Sequence, residues 1–136
     1  MNSFLPFPYS TDAALFMLRF SLGIIFGAHG IYLLPRWKEK PSQKIPALIL
    51  NTLRLLSILE PLGALAVIIG LLTVIPLIGF SLVMILAIPI RIKQGAPFLS
   101  ISDNGWALDF ILLLVCLSLL ALGTGAFSVD HFIFIH

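Results

Sequence analysis

Five ionisable side chains lie inside long apolar stretches of the 136-residue sequence, and they are the first candidates for chemistry. They are Arg19, His29, Arg54, Glu60 and Asp109. In hydrocarbon, a charged side chain costs at least about 2.5–3.5 kcal/mol near the centre of a bilayer. We therefore expect these side chains to point inward and to form either a polar binding site for a ligand or proton, or structural ion pairs that fix helix register.

Depth along the helices predicts which of these groups meet. Arg19 lies roughly 10 Å below the outer end of the first predicted helix, and Glu60 roughly 16 Å below the outer end of the second. Arg19 with Glu60 is therefore the first expected pair. Arg54 lies roughly 10 Å from the inner end of its helix, and Asp109 and His29 lie roughly 5–8 Å from the inner ends of theirs. The second expected pair is Arg54 with Asp109, with His29 as a third, titrating member.

Other site chemistries have little support in the sequence. Cys116 is the only cysteine, which excludes a CxxC thiol relay and an intramolecular disulfide. The three histidines, His29, His131 and His136, are far apart and show no metal-ligand spacing. The sequence therefore predicts no metal site, and it contains no glycine-rich phosphate loop.

The amino-acid composition predicts the medium that surrounds this protein. Hydrophobic residues make up 60% of the chain and charged residues 10%, with a mean hydropathy of +1.12. A soluble domain carries roughly 25% charged residues, so we expect the lipid bilayer to be the surrounding medium. The net charge of +2 comes with basic residues clustered at the predicted membrane edges, which argues against nucleic acid as a partner.

Apolar runs predict an all-α fold, an integral membrane four-helix bundle that forms a single transmembrane domain over residues 1–136. The predicted helices cover about residues 13–34, 47–72, 74–90 and 106–122. Asp12 is the expected N-cap of the first helix, and Pro35 is expected to stop it. Pro61 lies in mid-helix and is expected to kink the second helix. A turn at Asp103-Asn104-Gly105 precedes the fourth helix, and the tail after residue 127 is too short to cross again.

Lysine and arginine counts predict the topology. The loops after the first and third helices hold all the flanking basic residues, namely Arg36, Lys38, Lys40, Lys44, Arg91 and Lys93. By the positive-inside rule these loops are cytoplasmic and both termini face outward. Trp37 and Trp106 then lie at the inner membrane boundary, where aromatic belts form. The N-terminus has no basic region and no small-residue cleavage site, so we expect the first helix to be retained.

Small residues recur at four-residue spacing on three of the helices. Gly23 with Gly27, Ala66 with Gly70, and Ala121 with Gly125 match the small-xxx-small pattern that lets helix backbones approach closely. Such stripes serve either internal packing or the pairing of two copies. A monomer and a homo-oligomer both remain open.

Three stretches of the chain show a more specific pattern. The first runs from Leu18-Arg19-Phe20-Ser21-Leu22-Gly23 to Ala28-His29-Gly30, the second from Leu59-Glu60 to Gly70-Leu71-Leu72-Thr73, and the third from Trp106 through Asp109 to Gly123-Thr124-Gly125-Ala126-Phe127-Ser128-Val129-Asp130. In these stretches the chain resembles the DoxX family of small bacterial membrane proteins, which is related to the membrane subunit of thiosulfate:quinone oxidoreductase. It departs from the family pattern at Leu33-Leu34-Pro35, where a basic residue is common, and at Leu62-Gly63-Ala64, where a glycine pair is common.

The resemblance implies a four-helix protein of the bacterial cytoplasmic membrane, often partnered with redox enzymes and sometimes linked to quinone. We therefore expect a membrane subunit that helps a partner oxidoreductase exchange electrons with quinone. In that role Arg19 or His29 donates a hydrogen bond to a quinone carbonyl, while Glu60 or Asp109 orients the donor or relays a proton. A non-catalytic assembly partner and a small proton-coupled carrier are the alternatives.

Overall fold

The computed structural model describes residues 10–100 and 105–134 of the chain. Within these ranges all the regular secondary structure is helical, and the described residues contain no strand. Its elements are α1 (Ser10–Tyr32), a 3₁₀ helix (Leu34–Lys38), α2 (Ala47–Ile69), α3 (Val74–Lys93), α4 (Ala107–Leu122) and the short α5 (Val129–Phe134). The all-α prediction is confirmed for this part of the chain.

Three of these helices are long and apolar enough to cross a membrane. The best windows of the segments Thr11–Lys38, Ala47–Ile69 and Val74–Lys93 have mean hydropathies of 1.6, 1.8 and 2.2. The fourth, α4, is equally apolar in character but has 16 residues, which corresponds to a length of about 24 Å. This length is somewhat less than the hydrocarbon thickness of a typical bilayer, about 30 Å.

The helix ends differ by a few residues from those expected from the sequence. Helix α2 ends at Ile69 and not at residue 72, and α3 ends at Lys93 and not at residue 90. Two proline-containing helices continue through their prolines, since Pro61 lies inside α2 and Pro89 lies inside α3. Helix α2 ends at Ile69 because Gly70 adopts a left-handed conformation, with φ 78°, and its N–H donates to the carbonyl of Ala66. Of the turn expected before α4, Asp103 and Asn104 lie outside the described residues.

The four long helices pack mainly as two pairs, α1 with α2 and α3 with α4, and smaller contacts join α2 to α3 and α1 to α4. Between the pairs lies one apolar core, in which the rings of Phe26 and Phe80 stack with their centroids 3.8 Å apart. The outward faces are apolar as well, with large exposed side chains such as Met17, Leu62 and Ile75. An apolar core beneath an apolar surface is the arrangement expected of helices in lipid.

Glycines on α1 set the distance between α1 and α2. A Cβ atom added at Gly30 would collide with the ring of Pro61, and one at Gly23 would collide with Ile68. A Cβ at Gly27 would make ordinary contact, 3.5 Å from the Cβ of Ala64. The small-residue stripe on α1 therefore serves packing within the chain, because it faces α2.

Candidate functional site

The contact between Gly30 and Pro61 brings two ionisable residues to the same level of the molecule. His29 on α1 and Glu60 on α2 face each other, with 2.6 Å between the His29 Nδ1 and Glu60 Oε2 atoms. The Glu60 side chain is buried, with 1% of its surface exposed, whereas the His29 side chain is 44% exposed. A buried carboxylate thus has a hydrogen-bonded partner that reaches the surface of the molecule.

A second pair joins the other two helices. Arg91 Nε in the last turn of α3 lies 2.6 Å from Asp109 Oδ2 in the first turn of α4. Each residue stands at the helix end whose dipole favours its charge. The charges of Arg91 and Asp109 also act on His29, so the two pairs lie within electrostatic range of each other. This charge cluster of His29, Glu60, Arg91 and Asp109 takes one residue from each long helix.

The expected pair of Arg19 with Glu60 is wrong. Arg19 is fully buried, and its guanidinium donates to backbone carbonyls instead: those of Val67 and Ile68, at 3.4 and 3.5 Å, and that of Phe127. Glu60 lies seven residues before Val67 on α2, a separation of about 10 Å along the helix axis. The error came from the register of α1 against α2, which depth from predicted helix ends does not define.

The expected pair of Arg54 with Asp109 is also wrong. Arg54 Nε donates to the carbonyl of Arg36 at 3.2 Å, and its Nη2 donates to that of Glu39 at 2.6 Å. These acceptors exist because the 3₁₀ helix folds back along the first half of α2. Trp37 secures it there, donating from Nε1 to the hydroxyl of Ser57 at 2.9 Å. The sequence suggested a plain surface loop at this point.

The end of the molecule at which α2 turns into α3 is organised by Asp130 of α5. Its carboxylate accepts hydrogen bonds from the backbone N–H groups of Leu72, at 2.7 Å, and Thr73, at 3.0 Å, and from the Thr73 hydroxyl at 2.9 Å. Burial alone would raise the pKa of Asp130. The hydrogen bonds from Thr73 and Leu72, together with the charge of Arg19, outweigh burial and hold the pKa below its ordinary value of 3.8.

Asp12 has a related role at the same end. It was expected to cap the first helix, but α1 already begins at Ser10. The Asp12 carboxylate accepts a hydrogen bond from the backbone N–H of Ala126 at 2.7 Å. The segment that leads into α5 is therefore held to α1 by Asp12 and by the hydrogen bond from Arg19 to Phe127.

A cavity of about 430 Å³ is lined by residues of α2, of α3 and of the turn between them, with Glu60 among them. Glu60 is the one ionisable residue among its described lining residues, and the others are apolar. Its Oε1 atom is buried and has no hydrogen-bond partner. The carboxylate therefore has one paired oxygen and one oxygen whose hydrogen-bonding capacity is unused.

Of the five residues predicted as a site, only His29 and Glu60 are in direct contact, while Asp109 pairs with Arg91. His29, Glu60 and Asp109 belong to the charge cluster, whereas Arg19 and Arg54 bind backbone carbonyls elsewhere. The sequence reasoning missed Arg91, which was assigned to a loop because α3 was expected to end at Ile90. A basic residue one position beyond a predicted helix end was the available signal, since helices favour cations in their last turn.

Metal-ligating groups do not gather in the described part of the chain, where no three His, Cys, Asp or Glu side chains lie close enough to hold a metal ion. Cys116 is a fully buried free thiol in the apolar core. His136 lies outside the described residues.

No protein-family model, curated protein or solved structure matches this chain.

Proposed function

We propose that this chain is a multi-pass protein of the bacterial cytoplasmic membrane in which α1, α2, α3 and α4 form a transmembrane bundle. The apolar outer faces support this proposal, because they would suit lipid and not water. The basic residues after α1 and at the end of α3 favour a cytoplasmic location for those segments, with both termini outside. The short α4 would then require tilted neighbours or a locally thinner bilayer.

Within the membrane, we propose that the protein is a quinone-linked subunit of an oxidoreductase system. The observation that carries this proposal is the hydrogen bond between the buried Glu60 and the half-exposed His29. An intramembrane acid joined to a histidine that reaches the surface is suited to accept a proton and pass it on. Proton exchange is what a membrane site must provide when a quinone is reduced or its reduced form is oxidised.

The residues of the charge cluster fit a quinone better than the set predicted from sequence. His29 would donate a hydrogen bond to the ligand or take a proton from Glu60, and Glu60 would accept a hydrogen bond from a ligand hydroxyl. The Arg91–Asp109 pair would act on His29 by charge. Arg19 and Arg54 have no part in this role, because their guanidinium groups already donate hydrogen bonds to backbone carbonyls. The quinone itself would supply the two-electron chemistry when bound.

The resemblance to the DoxX family points in the same direction. Two of its stretches, residues 70–73 and 123–130, contact each other through Asp130. The partner would be a redox enzyme docked at the membrane.

An assembly partner without a ligand is the second candidate function. One observation favours it: each pair of the charge cluster bridges neighbouring helices, α1 to α2 and α3 to α4. Buried pairs of this kind serve specificity of packing in some proteins.

Quinone extraction separates the two candidates. We would purify the full chain gently, extract it with solvent and quantify quinone by chromatography and mass spectrometry. Near one quinone per wild-type chain, reduced several-fold in Glu60→Gln and retained in Glu39→Gln, supports the quinone-linked role. Glu39 is the matched control because it pairs with Arg36 outside the long helices. No quinone in well-folded wild-type protein rejects that role in favour of the assembly partner.

A further inference from the structure

The cavity between α2 and α3 opens on the outer surface of the molecule. Several of its lining side chains are themselves largely exposed, among them Leu62, Leu72 and Ile75. In a bilayer such an opening faces the acyl chains, so a molecule would enter from the lipid and not from water. The volume of about 430 Å³ lies within the range of roughly 300–1,000 Å³ that is typical of small-molecule sites.

Glycine keeps part of this cavity empty. A Cβ atom added at Gly79, on the α3 side, would meet no atom within 4 Å. At Gly63, on the α2 side, a Cβ would lie 3.0 Å from Pro76 and 3.1 Å from the ring of Phe80. The two helices are therefore in contact near Gly63 and leave free space beside Gly79.

One of the residues lining the cavity, Glu60, carries a polar atom without a partner. Glu60 is 99% buried by side-chain surface, and its Oε1 has no hydrogen bond while its Oε2 binds His29. A buried acceptor left unpaired is costly, and the cost is removed when a donor arrives. A carboxylate paired with a histidine accepts hydrogen bonds at its free oxygen.

We infer that this cavity is a binding site, entered from the lipid, for an apolar molecule with one hydroxyl group, which donates its hydrogen bond to Glu60. The apolar body would fill the space beside Gly79, and the hydroxyl would satisfy the unpaired oxygen. The inference rests on the same Glu60 carboxylate as the proposed redox role, but it does not require redox chemistry, because a hydroxyl-bearing lipid would fit the same site. A reduced quinone would be one member of the class.

Two matched probes test the hydrogen bond. 4-Hexylphenol donates from its hydroxyl, whereas its methyl ether, 4-hexylanisole, has a similar body and cannot donate. We would measure the affinity of both for the full chain in detergent micelles, expressed as mole fractions in the micelle. Since a hydrogen bond to a charged group is worth roughly tenfold or more in affinity, we expect wild-type protein to prefer the phenol by about that factor. Equal binding of the two probes overturns the inference and indicates apolar filling only.

Three variants locate the site. Gly79→Leu fills the cavity without a clash at Cβ and improves helix propensity, so we expect it to fold and to lose phenol binding at least fivefold. Ser118→Leu is the control, because it adds the same side chain at an exposed position on α4. Glu60→Gln should reduce the preference for phenol several-fold. Unchanged phenol binding in Gly79→Leu, or an unchanged preference for phenol in Glu60→Gln, refutes the site.

Discussion

At the scale of single residues, Glu60 depends on His29 for its only hydrogen bond. A carboxylate that is almost fully buried has few ways to replace a lost partner. The half-exposed His29 has more freedom, because its ring can turn towards the surface. The two members of this pair therefore depend on each other unequally. Removing the histidine alone should lower the free energy of unfolding more than removing both side chains.

We expect His29→Leu to lower the free energy of unfolding by about 1–3 kcal/mol, because it leaves a buried acceptor unsatisfied. The double variant His29→Leu, Glu60→Leu should regain most of that loss, since two apolar side chains replace the pair. Denaturant titrations of the purified chain in micelles would measure both. A double variant no more stable than His29→Leu would show that the pair is not coupled.

Asp130 is the second residue whose chemistry can be tested. Its pKa is held below 3.8 in the folded protein, so its stabilising effect is fully present above the ordinary carboxyl pKa and is lost as the pH falls through the folded value. We expect Asp130→Asn to be less stable than wild type at pH 6 and to approach wild type as the pH is lowered below 4.

Melting temperatures at a series of pH values would measure this difference. Glu39→Gln, at a surface pair with Arg36, is the control for removing one negative charge. A gap between wild type and Asp130→Asn that stays constant from pH 6 to pH 3 would contradict the assignment.

At the scale of helices, the contact of α1 with α2 determines which ionisable residues meet. Gly30 lies against the Pro61 ring, and this contact places His29 beside Glu60. The same register places Arg19 beside the last carbonyls of α2. A cation at the C-terminal end of a helix is favoured by the helix dipole, which gives a buried arginine a stable position without a carboxylate in direct contact.

Two alanine substitutions on α1 test this register. We expect Gly30→Ala to lower stability by about 1–3 kcal/mol, because the added methyl meets the rigid Pro61 ring. Gly27→Ala should be neutral or slightly stabilising, since its methyl meets only ordinary contacts and alanine favours helix. Melting temperatures of the two variants would measure these effects. Equal effects of the two substitutions would refute the close contact at Gly30.

At the scale of the whole molecule, the distribution of exposed residues agrees with a membrane environment on all sides of the helices. Large apolar side chains are exposed on each of α1, α2, α3 and α4. Basic residues gather after α1 and at the end of α3, whereas α5 lies at the opposite end, beside the α2–α3 turn. This uneven distribution of basic residues between the two ends is the basis of the proposed orientation in the bilayer.

Single cysteines introduced into a Cys116→Ala background would measure the orientation. We expect Phe132→Cys, at an exposed position of α5, to react with a membrane-impermeant maleimide in intact bacterial cells. Lys40→Cys, in the loop after the 3₁₀ helix, should react only in inverted membrane vesicles. The reverse labelling pattern would invert the proposed topology, and labelling of both in intact cells would reject a sealed transmembrane arrangement.

The sequence by itself determined the helical class, the approximate positions of the four long helices and the apolar character of their surfaces. These properties follow from the residues within each segment, because an apolar run of given length forms a helix and excludes water wherever it is placed. The sequence also identified most of the buried ionisable residues, since a charge inside an apolar run is visible without a structure.

Only the tertiary structure decided which of these residues meet. Pairing depends on the register between helices, and a shift of seven residues moves a side chain by about 10 Å. Gly30 against Pro61 sets that register, and the 3₁₀ helix supplies carbonyls that hold Arg54. The cavity beside Gly79 is likewise formed by two helices together. No single segment encodes these contacts, because each one needs the surface of another.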